Sequence, residues 1–199
     1  YCKDGKPITS SEIYDPNDDS TRDPRLTYTL MTKNGDTYDG KVSDAWWSWN
    51  SPFQLFMRKY QNQPTTWTAD NQDMYVIRYA DVLLMRAEAL AKQNTGKDEI
   101  MSLVNQVRQR ADVMLPPVED AAGSDVVKHE RRVELALEGT RYFDLMRWKE
   151  MDKAYERCRA DGGAGSHVFD SSKGYVWPIP QSELDNNRAL VQAPEWGGK

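Results

Sequence analysis

Residues 128–149 read KHERRVELALEGTRYFDLMRWK, a stretch that combines many charged side chains with an apolar framework. Glu130, Glu134 and Glu138 recur every four residues, which places them on one face of a helix. Apolar residues flank Arg141, Asp144 and Arg147 on both sides, whereas a surface helix has a single apolar stripe. We therefore expect a mostly buried segment whose charges neutralise one another, because an unpaired buried charge is strongly destabilising.

The acids of this stretch have two interpretations. A catalytic interpretation takes Glu134, Glu138 and Asp144 as a set of reacting carboxylates. A structural interpretation pairs the acids with bases within one helical turn, namely Arg131, Arg132, Arg141 and Arg147. Such a base lowers the pKa of a carboxyl group, whereas a general acid needs a raised pKa. The pattern favours the structural interpretation.

The same stretch is predicted to lie in a long helix. This helix begins at a cap at Ser124 or Asp125, runs to near Leu137 and continues past Gly139 to about Glu156. Gly139 either kinks the helix or lets the backbone approach a neighbouring element closely.

Two earlier helices are predicted to pack as an antiparallel pair. Met74–Lys92 has an apolar stripe and a cap at Asp73, and Asp98–Ala111 has a second stripe and a cap at Asp98. Alanines on the first helix allow close packing. The stripe residues are Val76, Ala80, Leu83, Ala87 and Leu90 on the first helix, and Ile100, Leu103, Val104 and Val107 on the second.

Residues 1–72 carry many turn-forming residues and predict a loop-rich segment with the candidate ligand-binding loops, ahead of a helical core at 73–199. We expect the two parts to form one folded unit. Within the first part, Leu26–Met31 predicts a short strand, with a turn at Asn34–Gly35 and a hairpin partner at Thr37–Val42.

Composition excludes several classes of function. The chain has 199 residues and a formal net charge of −5, which argues against binding to a nucleic-acid backbone. It contains no apolar run of about 18 residues, so no transmembrane helix is predicted. Cys2 and Cys158 match no metal or redox spacing, and the sequence permits a disulfide between them without requiring one.

No metal site and no cofactor site is predicted. Asp15, Asn17 and Asp19 resemble the start of a calcium-binding loop. Ser20 stands where such a loop needs glycine, and Leu26 stands where it needs glutamate. A looser oxygen-rich cation site stays open as an alternative to a solvated loop.

The motif ERRVELALEGTRYFDLMRW, from Glu130 to Trp148, resembles the signature of the SusD/RagB family, E-R-x-x-E-L-x-x-E-G-x-R-x-x-D-L-x-R-W. So many residue types at fixed spacing make the resemblance specific. It covers about residue 23 to 196. Trp148 and Trp177 fall on family positions and are predicted to be core residues. Shorter segments that also resemble the family are D-P-R at 23–25, R-K-Y at 58–60, R-Y-A-D-V-L-L at 78–84, N-Q-V-R-Q-R-A at 105–111 and P-I-P at 178–180.

By this resemblance the fold is mainly α, the C-terminal part of a SusD-like protein. It has an antiparallel helix pair, a long kinked helix, extensive loops and one short β-hairpin. The resemblance also implies a surface-exposed lipoprotein of the cell outer membrane that binds glycans without catalysis and delivers nutrient to a SusC-like TonB-dependent transporter. We expect the chain to lack the family's N-terminal, tetratricopeptide-rich half, so that it meets the membrane only through a lipid anchor in that half.

Aromatic residues are the strongest compositional signal, with seven Trp and ten Tyr. A sugar ring has an apolar face that stacks on aromatic rings, and hydroxyls that bind planar polar side chains. The irregular segment 43–52 supplies both kinds of side chain. Its three tryptophans match neither helical nor strand spacing, so we expect at least one to be exposed. The alternative is that two of them are core residues and the third is exposed without a role in binding. The candidate glycan-binding residues are Trp46, Trp47, Trp49, Asp44 and Asn50, with Trp67 and Tyr38 as second choices.

Two other functions are compatible with the sequence. A protein-interaction scaffold would dock on the transporter without direct glycan contact in this chain, with the tryptophan cluster as a hot spot. A glycoside hydrolase would need two carboxylates about 5–10 Å apart beside a sugar cleft. His129 and His167 fit neither a nucleophile–base pattern nor a metal pattern. The residues therefore favour a binding protein over an enzyme.

Overall fold

The computed structural model describes residues 1–32, 55–60, 73–120, 124–162 and 168–198. Within these residues the protein is mostly helical and has one two-stranded antiparallel sheet, so the predicted mainly α class is confirmed. The helices are α1 Arg25–Thr29, α2 Tyr79–Lys92, α3 Lys97–Arg108, α4 Asp125–Glu134, α5 Arg141–Trp148, α6 Met151–Ala160 and α7 Gln181–Asn186, and the strands are β1 Leu30–Thr32 and β2 Leu55–Met57.

The chain forms two compact units, Tyr1–Arg141 and Tyr142–Lys199. The first unit holds both strands and the helices α1 to α4. The second holds α6, α7 and all of α5 after its first residue. The predicted division into a loop-rich segment, 1–72, and a helical core, 73–199, stays a prediction.

The core of the first unit lies between α2 and α3, which pack against each other across a short turn and are joined by α4. Both helices contribute one apolar face, and all four stripe residues predicted for the second helix are buried. Burial of such side chains stabilises the fold by about 1.5–3 kcal/mol each. The core cluster consists of Leu83, Leu84, Ala87, Ile100, Leu103, Val104, Val107 and Val127.

The start of α2 differs from the prediction, because the helix begins at Tyr79 and Asp73 does not cap it. Arg78 is the N-cap residue and has an extended backbone, and Glu134 and Glu138 hold its guanidinium group. These ion pairs fix the chain in an extended form at a point where apolar spacing alone predicts helix. Val76, predicted in the buried stripe, is therefore 90% exposed.

The start of α3 also differs from the prediction, because its N-cap is Gly96 instead of Asp98. Gly96 has a left-handed backbone with φ of 66°, which glycine adopts without strain, and its carbonyl accepts the Ile100 N–H at 2.8 Å. Asp98 lies in the first turn, where a negative charge stabilises the helix dipole.

The predicted strand Leu26–Met31 is wrong over most of its length, because α1 occupies Arg25–Thr29. Pro24 precedes this helix with a helical backbone, which starts the turn. The strand β1 follows directly and pairs with β2, with Met31 opposite Phe56. The predicted hairpin turn and its partner Thr37–Val42 lie outside the described residues.

The predicted long helix is divided into three, because α4 ends at Glu134, α5 begins at Arg141 and α6 begins at Met151. Residues with a left-handed backbone conformation interrupt the helix at both points. Leu137 and Gly139 have φ of 65° and 76° in the first, and Lys149 has φ of 57° in the second. An added Cβ at Gly139 would meet nothing within 4 Å, so this glycine serves the backbone conformation and not a close approach.

Gly139→Ala is therefore expected to lower the free energy of unfolding by about 1–2 kcal/mol through backbone strain alone. Urea unfolding followed by far-UV circular dichroism measures this loss. Gly139→Asn is the matched control, because asparagine tolerates the left-handed region and should lose less stability. Equal stability of the wild type and the alanine variant would contradict this role.

Candidate functional site

The three glutamates of the 128–149 stretch are the centre of a charged network in the first unit. Glu130 and Glu134 lie on α4, at 1% and 4% exposure, and Glu138 follows in the turn after it. Five bases converge on them from other parts of the chain, namely Arg25, Lys59, Arg78, Arg108 and Arg110. We call these eight residues and Asp23 the buried ion network.

Arg25 is the most enclosed base of the network, with 3% exposure. It donates to Asp23 through Nη2 at 2.8 Å and through Nε at 3.0 Å. Its Nη1 donates to Glu130 and, at 3.1 Å, to Oε2 of Glu134. The second oxygen of Glu130 accepts from Nη1 of Arg108 at 3.2 Å. One guanidinium group thus joins three carboxylates, which satisfies charges that water cannot reach.

Arg78 joins the other two glutamates. Its Nη1 donates to Oε1 of Glu134 at 2.7 Å, and its Nε and Nη2 donate to the two oxygens of Glu138 at 2.8 Å each. Lys59 also binds Glu138 and donates to the carbonyl of Ala136 at 3.1 Å. Arg110 adds a further contact to Glu134. Ion pairs therefore hold Arg78, the residue before α2, and Lys59, in the segment after β2, against the end of α4.

The prediction that the 128–149 stretch neutralises itself missed these bases, which all come from outside it. A base at i+3 or i+4 lies beside its acid on the same helix face, whereas a buried carboxylate needs donors from the elements packed over it. A signal for them was present in the sequence, because each base belongs to one of the short segments that resemble the family, at 23–25, 58–60, 78–84 and 105–111.

Two other charged residues of the stretch also have defined partners. Nη2 of Arg147 donates to Asp144 at 2.7 Å, which confirms the predicted i,i+3 pair. Arg131 binds Asp81 at 2.8 Å and lies 3.8 Å from Glu88, both on α2. Ion pairs therefore also connect α4 with α2.

The titration of the network matches its geometry. Burial acts to raise the pKa of Glu134, but the hydrogen bond from Arg78 and the charge of Arg110 outweigh it and lower that pKa below the ordinary value. Burial also acts to raise the pKa of Asp23, and the hydrogen bond and charge of Arg25 lower it. A carboxylate held ionised in this way is unsuited to donate a proton as a general acid.

His129 lies beside the network and has no comparable support. Its Nε2 is buried and has no hydrogen-bond partner among the described residues. Its ring stacks on Tyr1 with centroids 3.7 Å apart. Burial, together with the charges of Arg25 and Arg108, lowers the pKa of His129 to about 4. A single histidine carries no sequence pattern, so only the fold reveals this environment.

Two cavities of the first unit adjoin His129. The larger has a volume of about 390 Å³ and lies between α1 and α4, with Arg22 and Arg132 in its wall. The smaller, of about 320 Å³, lies between α4 and the segment after α3, with Asp4 and Pro116 in its wall. Both walls mix charged and apolar groups.

The predicted glycan-binding residues all lie outside the described residues. Their role in binding therefore stays a prediction from the sequence. The residues are Trp46, Trp47, Trp49, Asp44, Asn50, Trp67 and Tyr38. The two tryptophans predicted to be core residues differ from each other. Trp148 is buried at 9% exposure, as predicted, but Trp177 is 72% exposed, and that prediction is wrong. Its neighbour Pro178 keeps the chain extended, which leaves the side chain free to point outward.

The acidic loop near the start of the chain forms turns. Asp15 accepts the N–H of Asn17 at 2.8 Å, and Asp18 accepts that of Ser20 at 2.8 Å. These are local side-chain-to-backbone bonds of the Asx type. Across the described parts of the chain, no three His, Cys, Asp or Glu residues are grouped as metal ligands. Cys2 and Cys158 are both free thiols. Among the helices described, none is long and apolar enough to cross a membrane.

Comparison with known families gives a match over almost the whole chain. The sequence model of the SusD family matches residues 1–196. The chain belongs to the SusD family. Among curated SusD relatives, the SusD-like protein P2 of Formosa agariphila is 28% identical over 200 residues, which cover 92% of this chain and 39% of that protein. The starch-binding protein SusD of Bacteroides thetaiotaomicron is 30% identical over 125 residues, which cover 63% of this chain and 22% of that protein.

Solved structures of SusD-like proteins share the fold. A SusD-like carbohydrate-binding protein of Bacteroides fragilis superposes with a TM-score of 0.75 at 31% identity, covering 96% of this chain and 46% of that one. A second SusD-like protein of the same species gives a TM-score of 0.69 at 20% identity and shows the fold alone. The chain thus spans less than half the length of these SusD-like relatives.

Proposed function

We propose that this chain is part of a non-catalytic glycan-binding protein at the outer-membrane surface. The protein captures polysaccharide or oligosaccharide and delivers it to a SusC-like TonB-dependent transporter, and a lipid anchor attaches it to the membrane. The observation that carries the proposal is the family match over residues 1–196. Two relatives, a starch-binding protein and a SusD-like carbohydrate-binding protein, support glycan as the ligand class.

The chemistry of the buried ion network supports binding without catalysis. Its carboxylates are enclosed and held by arginine or lysine, and the lowered pKa of Glu134 opposes a role as general acid. The network serves instead to hold α4 against the elements around it. Ligand recognition is assigned to aromatic and planar polar side chains on irregular segments, above all Trp46, Trp47 and Trp49.

Trp47→Ala and Trp49→Ala are each expected to weaken polysaccharide binding about tenfold, the effect of losing one stacking ring. Affinity electrophoresis in gels containing amylopectin, xyloglucan, galactomannan or alginate measures the change in mobility. Tyr79→Ala removes a 71% exposed ring outside segment 43–52 and serves as the matched control. Identical mobility of all variants and the wild type on every glycan would count against these ligand residues.

A protein-interaction scaffold is the second candidate, and one observation favours it. Seven large apolar side chains are exposed just before and along α2. Exposed apolar side chains this numerous within one short segment are typical of a protein–protein contact. The scaffold would be favoured over the leading proposal if the transporter copurifies with the chain while none of the glycans slows the migration of the chain in affinity electrophoresis. The exposed residues are Met74, Tyr75, Val76, Ile77, Tyr79, Val82 and Met85.

A further inference from the structure

The second compact unit carries a cluster of exposed aromatic rings. Tyr142 and Phe143 come from the first turn of α5, and Trp177 comes from the extended segment before α7. They are 36%, 68% and 72% exposed. The Tyr142 ring centroid lies 5.5 Å from that of Phe143, with the two rings edge-to-face at 83°, and 6.0 Å from that of Trp177, with the rings tilted by 55°. We call these three residues the aromatic platform.

The fold of α5 does not require the outward ring of Phe143. Its buried residues are Asp144, Leu145 and Trp148, which occupy one side of the helix. Phe143 lies about 200° around the helix from Leu145, on the opposite side. A Phe or Trp side chain left in water forgoes about 1.5–3 kcal/mol of burial energy. Exposed rings that contact each other therefore indicate a ligand surface better than a packing role.

The backbone on either side of Trp177 is held by the C-terminal segment. The indole N–H of Trp196 donates to the carbonyl of Val176 at 2.8 Å. Gln192 accepts the N–H of Ile179 and donates to its carbonyl, both at 2.9 Å. Because the chain is held before and after Trp177, its backbone is fixed, which reduces the entropy lost on binding.

We propose that Tyr142, Phe143 and Trp177 form a glycan-stacking surface, additional to the tryptophan segment 43–52. The platform offers ring faces for the apolar side of sugar rings, and the Tyr142 hydroxyl can donate to or accept from a sugar hydroxyl. The surface along α2 includes aliphatic Val and Met side chains, as protein contacts do, whereas the platform is built of rings. With several adjacent rings, it fits an oligosaccharide of at least two sugar units.

This inference rests on the proposed function, and its test separates the two. The double variant Phe143→Ala/Trp177→Ala is compared with the wild type by affinity electrophoresis in amylopectin, xyloglucan, galactomannan and alginate. We expect at least one glycan to bind the double variant about tenfold more weakly. Phe143→Tyr/Trp177→Tyr keeps the rings and should retain binding within about twofold. Tyr79→Ala, equally exposed but in the first unit, should bind as the wild type does.

The thermal midpoint and far-UV circular dichroism of each variant are measured first. Trp177→Ala alone, at an exposed position, provides the test if the double variant is less stable. Unchanged binding of Trp177→Ala and the double variant, while Trp47→Ala or Trp49→Ala weakens it, would overturn the platform and leave the proposed function standing. Loss of a copurifying transporter with unchanged glycan binding would also overturn it, in favour of a protein contact. A wild type that binds no glycan would overturn both proposals.

Discussion

Arg25→Met is expected to lower the free energy of unfolding by about 3–5 kcal/mol, the usual cost of removing one partner of a buried ion pair. Arg25 is 3% exposed and donates to Asp23, Glu130 and Glu134. Without it, the three carboxylates lose a shared counter-charge in a site that excludes water. Urea unfolding followed by far-UV circular dichroism measures the loss, and methionine keeps most of the side-chain volume.

Arg86→Met is the matched control for this prediction. Arg86 also pairs with a glutamate, Glu99, but the two side chains are 65% and 41% exposed. A pair in contact with water contributes about 0–1 kcal/mol, so the control should change stability little. A loss for Arg25→Met no larger than that for Arg86→Met would show that the buried ion network stabilises the fold no more than a surface pair.

The second large effect is a loss of stability in mild acid that depends on His129. The folded protein holds this group neutral down to a pKa of about 4, whereas the unfolded chain takes up a proton near pH 6.5. Between these values the unfolded state binds more protons, so stability rises with pH. The contribution of neutral His129 to the free energy of unfolding is fully present above pH 6.5 and falls as the pH drops towards 4. It amounts to about 3 kcal/mol across this window.

His129→Gln removes this titration and should flatten the dependence of the unfolding free energy on pH. Glu134 and Asp23 have lowered pKa values, and their stabilisation is lost only below the unfolded values of 4.5 and 3.8. Measurements between pH 4.5 and 6.5 therefore report mainly on His129. Parallel pH profiles for the wild type and the variant would show that His129 is not kept neutral by the fold.

The sequence predicted which segments form helices, but it did not predict where those helices begin and end. The apolar spacing of Ile100, Leu103, Val104 and Val107 predicted a buried face because one helix determines it. The start of α2 depends on Arg78, whose partners lie more than fifty residues away along the chain. Local spacing has no information about such contacts, so the apolar Val76 was wrongly placed in the core.

The same limit of prediction from the sequence applies to the charged stretch at 128–149. The prediction of a mostly buried stretch is only partly right, because Glu130 and Glu134 are buried whereas Tyr142, Phe143 and Arg147 are exposed. The bases that hold the two glutamates could not be predicted, because five segments of the fold meet there. The exposure of Trp177 was also unpredictable, since a tryptophan beside proline in an apolar segment resembles a core residue. The predicted ligand residues of segment 43–52 stay a prediction that rests on side-chain chemistry.

By itself, the sequence determined the mainly helical class and the family signature, because each depends on spacing within one segment. Only the tertiary structure decided which bases hold Glu130, Glu134 and Glu138, the neutral state of His129, and which aromatic rings of the second unit face water. These properties arise from contacts between segments that are distant in the chain, and burial and charge at such contacts depend on everything packed around them.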